Sequence, residues 1–362
     1  MRFVTTFLAV VALIASVTPG GAYGGAAAPR LIIGAIHVGS ITDAGYNQAQ
    51  HDGLVYLQQQ IPGLQILEAE NIPEGPDVER VMETMIAQGA RLIFPQSFGY
   101  QDFALKVAER HPDVIFMHPS GYKLAKNFGT YWSASDQLFY ALGVAAGRMS
   151  RTSKIGFVGA IPIPQIIGQV NAYHLGARSV NPKVTTYVLF TGSWVDPAKE
   201  AASANALVDR GVDVIANLVD SGIAVVQTAE RRGVYAMGYH SAAVAKFAPR
   251  GWITGIDFHW GPLFVKIVNE VLAGTWKPAH YRPPLQEGIV RLAPFGAAVP
   301  PVVRWAVTQV VDEFKAGVRK SPWMGPVYDQ QGNLRIKPGE YPGPQFINEV
   351  TWFAEGIVGQ PR

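Results

Sequence analysis

Between residues 31 and 256 the chain repeatedly sets a short apolar run beside a longer segment with helical spacing, and that alternation admits few folds. In the first run Leu31, Ile32 and Ile33 lead through Gly34 and Ala35 to Ile36, His37 and Val38, with no polar alternation, as a strand buried on both faces requires. Gly39 and Ser40 end it. Tyr46, Ala49, Gly53, Tyr56 and Leu57 then recur at helical spacing over residues 45–60. Strands are predicted at 64–69, 91–95 and 114–118, with helices at 76–88 and 100–110 between them. A second series holds helices at 135–149, 168–179, 197–209 and 223–232, and strands at 155–158, 184–190, 214–217, 235–238 and 252–256. Such alternation predicts an α/β architecture of parallel sheets with helices on both faces.

With 362 residues, 48% of them hydrophobic, the chain exceeds what one core usually organises. Two lobes in tandem are expected, with a seam at 127–133, where no period is maintained. Pro278, Pro283 and Pro284 break regular structure across 276–284. A strand-like run at 285–292 and a helix at 300–315 then bring the tail back across the seam, and 350–353 is a last candidate strand. The expected division is 29–130 plus about 258–284 for the first lobe, and 131–257 plus about 285–362 for the second.

Residues 1–28 read as a secretory signal peptide: Arg2, an apolar stretch over 3–17 broken only by Thr5, Thr6 and Ser16, then Pro19 and small residues through Ala28. The stretch falls short of the roughly 20 residues a spanning helix needs. Cleavage after Gly24 or within 26–28 fits equally. The chain has no cysteine, which excludes disulfides, thiolate metal sites, cysteine nucleophiles and lipid attachment at the cleavage site. The periplasm is the expected location, with secretion to the medium as the alternative. A net charge of +3 without any basic run gives no footprint for nucleic acid.

No catalytic constellation assembles. His51, His111, His118, His174, His240 and His259 are well separated and form no metal-binding spacing. Ser120-Gly121-Tyr122-Lys123 matches a Ser-x-x-Lys pattern, but it follows a strand instead of opening a helix and lacks companion motifs. Gly-x-Ser-x-Gly, a phosphate-binding Gly-Lys loop, and Gly-x-Gly-x-x-Gly after the first strand are all missing. No cofactor, metal or catalytic residue is expected.

In open α/β sheets the loops at the carboxyl ends of the strands face the ligand. Here those loops are 40–47, 96–100, 119–122, 160–165, 191–196, 219–222, 239–241 and 257–260, and they are rich in aromatic residues that could hold a flat heterocycle. Tyr46 and Trp194 fit either ligand contact or half-buried packing. Asn47 can bond a ligand or the first helical turn, and Asp220 can face the ligand or cap the helix near 223. Asp196 before Pro197 reads as a helix N-cap. Phe98, Tyr122, Tyr239 and Trp260 have the core as their ordinary place.

Several motifs resemble one family. Gly39-Ser40-Ile41-Thr42-Asp43-Ala44-Gly45-Tyr46-Asn47-Gln48 is similar to the first loop of the basic membrane protein (Bmp) family of ABC-transporter substrate-binding proteins, whose best-understood branch binds purine nucleosides. Gly156-Phe157-Val158-Gly159 with Ile163-Pro164, Gly176 to Val180 with Asn181-Pro182, and Gly192-Ser193-Trp194-Val195-Asp196-Pro197-Ala198-Lys199-Glu200 follow in the same order, within collinear matches from Ile33 to Trp276. Glu74-Gly75, Ser97-Phe98-Gly99, Gly121-Tyr122-Lys123, Asp220-Ser221 and Trp260-Gly261-Pro262 look closest to a branch that binds free purine bases such as adenine.

The resemblance implies a type I periplasmic-binding fold, with two Rossmann-like lobes joined by three crossovers. It places Tyr46 and Trp194 where nucleoside binders have two stacking Phe residues, and Asp220 where they have Gly. Asp220 could then read a base edge. The family's Gly-Val-Asp-Ser loop, whose Asp holds ribose, reads Gly238-Tyr239-His240-Ser241 here, and a nearby Lys is replaced around Asp257-Phe258. Loss of a buried polar contact to the sugar costs roughly 1–3 kcal/mol, which favours a sugarless ligand. The expected binding residues are Tyr46, Asn47, Phe98, Ser120, Tyr122, Trp194, Asp220, Tyr239, His240 and Asp257.

The expected function is that of a monomeric solute receptor that closes on a purine base by hinge motion and delivers it to an inner-membrane ABC permease. A nucleoside or another flat solute is an alternative cargo. A ligand-sensing module feeding a signalling receptor shares the fold. An exported nucleoside hydrolase would need an aspartate cluster or a triad that these motifs do not supply.

Overall fold

The apolar run at 31–38 forms strand β1 (Leu31–His37), buried along nearly all its length because helices cover both of its faces. The computed structural model describes residues 30–361, so the leader expected at 1–28 lies outside the described residues. After β1 come α1 (Tyr46–Gln60), β2 (Leu64–Ala69), α2 (Asp77–Ala87), β3 (Leu92–Gln96), α3 (Gln101–Arg110), β4 (Ile115–Pro119) and β5 (Phe128–Tyr131). The chain continues with α4 (Ser135–Met149), β6 (Lys154–Gly159), α5 (Pro164–Val180), β7 (Thr185–Phe190), α6 (Pro197–Asp209), β8 (Val214–Leu218), α7 (Ile223–Arg231), β9 (Tyr235–Gly238) and β10 (Trp252–Phe258). Helix α8 (Gly261–Leu272), β11 (His280–Tyr281), β12 (Val290–Leu292), α9 (Pro301–Lys315), β13 (Val327–Tyr328), β14 (Leu334–Ile336) and β15 (Ile357–Val358) complete it. Among the described residues no helix is long and apolar enough to cross a membrane.

Two sheets organise these elements. The first runs β11-β5-β4-β3-β1-β2 and is parallel throughout, with Ile33 of β1 opposite Leu92 of β3 and Ile66 of β2. The second runs β12-β10-β9-β8-β6-β7-β15, parallel except for β12 against β10. Helices α1 and α8 pack together beside the first sheet and α2 and α3 pair with each other; in the second lobe α4 packs on α5 and α9, and α6 on α7. The chain passes between lobes three times: from β5 to α4, from β10 to α8, and from β11 to β12. Trp132, Phe258 and Trp260 sit at two of these crossovers and pack on one another, Phe258 and Trp260 stacked with centroids 5.0 Å apart.

The structure departs from the sequence pattern where pairing is decided by distant partners. The seam at 127–133 contains β5, which joins the first sheet between β4 and β11. The strand expected at 285–292 shortens to β12, because a 3₁₀ turn occupies Leu285–Glu287 and Gly288 is left-handed at φ 71°. Residues 350–353 form no strand: Val350 and Phe353 are apolar because they are buried against the second lobe, with Phe353 stacked on Phe190. The last strand is instead β15, added beside β7 at the sheet edge. Helix α8, the Pro-flanked β11 and the β13–β14 hairpin fall in stretches where no element was expected.

Candidate functional site

The carboxyl ends of the strands of both sheets converge on one cavity, as topology requires of open α/β sheets. Tyr46 follows β1, Ser97 and Phe98 follow β3, Ser120 follows β4 and Trp132 follows β5. From the second lobe Ile163, Gln165, Ile166 and Gln169 come from the start of α5, Trp194 from the loop after β7, Leu218 and Asp220 from the end of β8, and His240 from the loop after β9. The cavity holds about 470 Å³ of atom-free space when its open mouth is counted.

Local bonding fixes the two loops that carry Tyr46 and Trp194. The Asp43 carboxylate accepts from the backbone N–H of Gly45 at 2.8 Å, Asn47 at 3.0 Å and Gln48 at 3.0 Å, which starts α1 and sets Tyr46 at its first position. Asp196 accepts from the Lys199 N–H at 3.0 Å while the Glu200 side chain accepts from the Asp196 N–H at 3.0 Å, a reciprocal cap that anchors the Trp194 loop to α6. The lobes then bond directly. Tyr46 N–H donates to the Asp220 carbonyl at 2.8 Å and the Ser221 hydroxyl donates to the Asp43 carbonyl at 2.8 Å, while within the second lobe Asp220 N–H donates to the Trp194 carbonyl at 3.0 Å. A Cβ on Gly45 would lie 1.8 Å from the Asp220 carbonyl oxygen, so only glycine permits this approach.

The lining combines apolar walls with polar atoms left unpaired. Phe98 and Trp194 lie 6.2 Å apart across the two lobes, and Tyr46 meets His240 edge-on at 5.0 Å. Trp132 Nε1, Gln165 Oε1, Gln169 Oε1 and Asp220 Oδ2 are buried without a hydrogen-bond partner among the described residues. Buried polar groups are nearly always partnered, so four such atoms on one cavity mark where an incoming molecule supplies the partners. Ser120 at φ 56° and His240 at φ 71° both hold left-handed backbone, a strain of about 1 kcal/mol or more that collects at functional sites.

Electrostatics here is dominated by burial. It raises the Asp220 carboxyl well above its ordinary range, and the carboxylates of Asp43, Glu74 and Glu200 add to the effect. Burial also holds the His240 imidazole neutral and the Tyr46 phenol protonated. Among the described residues no Lys or Arg lines the cavity. Among the described residues no group of three or more His, Asp or Glu is placed to hold a metal ion.

Of the ten residues singled out from sequence, the cavity gathers Tyr46, Phe98, Ser120, Trp194, Asp220 and His240. The other four are placed elsewhere. Asn47 is fully buried, its amide donating to Asp43 and its oxygen accepting from the Gly39 N–H. Tyr239 is buried beneath His240, with ring centroids 3.9 Å apart. Asp257 accepts from the Ala242 N–H and pairs with Arg291 at 3.0 Å. Tyr122 is exposed at the rim, 6.5 Å from Phe98. Sequence reasoning passed over Trp132, Ile166, Gln169 and Leu218, and reached Ser97, Ile163 and Gln165 only as members of ligand-facing loops, without naming them as binding residues. The available signal was Gln165 and Gln169, two amides one turn apart in the apolar opening of α5.

Comparison with known proteins supplies a context for this cavity. A family model, Bmp, described as ABC transporter substrate-binding protein PnrA-like, matches residues 31–319. The chain is 36% identical to a purine-binding protein of Brucella abortus, over 96% of this chain and 98% of that protein. It is 29% identical to a Haloferax volcanii protein whose name proposes an ABC transporter glucose-binding role, over 90% of this chain and 80% of the other. A solved ABC transporter solute-binding protein from Aeropyrum pernix superposes with a TM-score of 0.67 at 18% identity, over 86% of this chain and 94% of that one, a likeness of fold.

Proposed function

Because the chain belongs to the Bmp family of ABC-transporter substrate-binding proteins, we propose that it is the periplasmic receptor of an importer and that its cargo is a free purine base of the adenine type. The observation that carries the reading is the pairing of aromatic walls from both lobes with unpartnered polar atoms between them. Flat rings contact Tyr46, Phe98, Trp132 and Trp194, each stack contributing about 0.5–1.5 kcal/mol beyond burial. The edge of the base partners Asp220, Gln165, Gln169 and Trp132. The Brucella abortus relative, matched over nearly its whole length and named as purine-binding, supports the same cargo. Ribose is disfavoured because Asp257 is already committed to Arg291 and Ala242, and His240 stands as a buried neutral imidazole where the nucleoside-binding pattern has a carboxylate. A hexose would bring a ring of hydroxyls to a cavity walled largely by aromatic and aliphatic side chains, leaving several of them unpaired.

Ligand binding to the native state raises its melting temperature, so thermal shift followed by calorimetry tests the reading directly. Adenine is expected to bind with micromolar or tighter affinity, and Trp194→Ala to weaken it about tenfold or more. Binding of glucose or adenosine with no response to any free base overturns it. Mass spectrometry of the molecule that copurifies gives an independent readout.

A further inference from the structure

Asp220 stands apart from the other acidic groups of the chain. It lines the cavity, is only 4% exposed, and its Oδ2 is buried with no hydrogen-bond partner among the described residues. The charged groups facing it are all acidic: Asp43 ahead of α1, Glu74 between β2 and α2, and Glu200 on α6. The other titratable neighbours are the phenols of Tyr46, Tyr100 and Tyr239, and His240 on the cavity wall is held neutral by burial. An ionised carboxylate here would be buried without a counter-ion, which is among the costliest arrangements a protein interior can hold. From the opposite lobe, Gly45 and Tyr46 close directly onto the Asp220 backbone.

We propose that Asp220 meets its ligand as an uncharged carboxylic acid, presenting one O–H donor beside one carbonyl acceptor, and so selects the 6-aminopurine edge. This deepens the purine-base reading and rests on it. The adenine edge sets an exocyclic N–H donor beside a ring nitrogen acceptor, the complement of a neutral carboxyl group. The guanine edge sets a ring N–H beside an exocyclic N–H, two donors, the complement of an ionised carboxylate. A neutral Asp220 therefore pairs fully with adenine, whereas against guanine its O–H faces a donor. Closure of the lobes on adenine then takes one proton from solvent onto the Asp220 carboxylate. Binding raises the affinity of this group for a proton, so ligand affinity is greatest at low pH and declines as pH rises above the ordinary carboxylate range.

The test is calorimetry of adenine and guanine between pH 6 and 8, in buffers of different ionisation enthalpy. Adenine binding should be accompanied by uptake approaching one proton, with affinity falling by up to about tenfold per pH unit. Guanine should bind roughly tenfold weaker or worse at pH 6. Asp220→Asn keeps a donor beside an acceptor but cannot titrate, so it should flatten the pH profile and abolish proton uptake. Asp52→Asn removes another carboxyl with a raised pKa, on α1 and outside the cavity lining, and should leave the profile in place. Absence of proton uptake in the wild type, a profile that persists in Asp220→Asn or vanishes in Asp52→Asn, or guanine bound as tightly as adenine each overturns the inference alone. If the wild type binds no purine base, the functional reading fails and this inference with it.

Discussion

Glu200 illustrates how one side chain ties the site to stability. Its carboxyl is buried, caps the Asp196 N–H through one oxygen and leaves Oε2 unpaired, so burial pushes its pKa up to about 7. A carboxyl whose folded pKa lies above its unfolded value of 4.5 binds more protons in the native state across that interval. Its contribution to stability is therefore complete below pH 4.5 and is lost as pH rises toward 7 and beyond. Asp43 and Asp220 act in the same direction, while His118 and His174, held neutral by burial, act in the opposite one. The difference between Glu200→Gln and wild type isolates the single group. In urea unfolding at pH 5 and pH 8 the variant should lose less stability than wild type between the two pH values; an identical loss would show that Glu200 does not titrate in this interval.

At the scale of elements, α5 is held on both sides. Gly176 lets it approach α4 so closely that a Cβ there would lie 2.0 Å from the Tyr140 carbonyl oxygen. On its other side lies the segment beyond residue 319, outside the family match. Trp323 is buried and donates through Nε1 to the Gly168 carbonyl at 3.2 Å, Asn171 bonds Trp352 and Ala354, and His174 bonds the Glu355 carbonyl at 2.9 Å. Gln165 on the cavity wall donates to Asn348 of the same segment at 3.0 Å. The terminal segment thus supports the helix whose first turns line the cavity. Trp323→Ala removes a buried aromatic and should cost about 3–5 kcal/mol of unfolding free energy. A loss under about 1 kcal/mol by chemical denaturation would mean that the segment contributes little to the fold.

For the whole molecule, the decisive contact is the one that joins the lobes across the cavity. Gly45 against Asp220 admits no side chain, and the two hydrogen bonds beside it come from opposite lobes. Gly45→Ala should leave each lobe folded but hold them apart, weakening adenine binding by about tenfold or more, since a clash of this depth cannot be absorbed by a small rearrangement. Small-angle scattering should then show compaction with ligand for wild type and none for the variant. Equal compaction in both would place the closing motion elsewhere.

The alternation of apolar runs and helical segments was enough to specify parallel sheets, because a strand covered on both faces has to be apolar at every position. The same topology locates the cavity, since strand carboxyl ends converge, and the position of Tyr46, Phe98, Trp194 and Asp220 in those loops is legible in the sequence alone. Sequence could not say which loop residues turn inward. Asn47 and Asp257 are polar residues in the right loops, yet Asp43 and Arg291 claim them, and those partners are chosen by three-dimensional neighbourhood. Gln165, Gln169 and Trp132 reach the cavity only because α5 and the first crossover are set against it by packing from distant segments. Local pattern therefore determined the layers and the face on which a ligand sits. Tertiary structure alone decided which polar atoms remain unpaired there, because partnership depends on what else folds within hydrogen-bond reach.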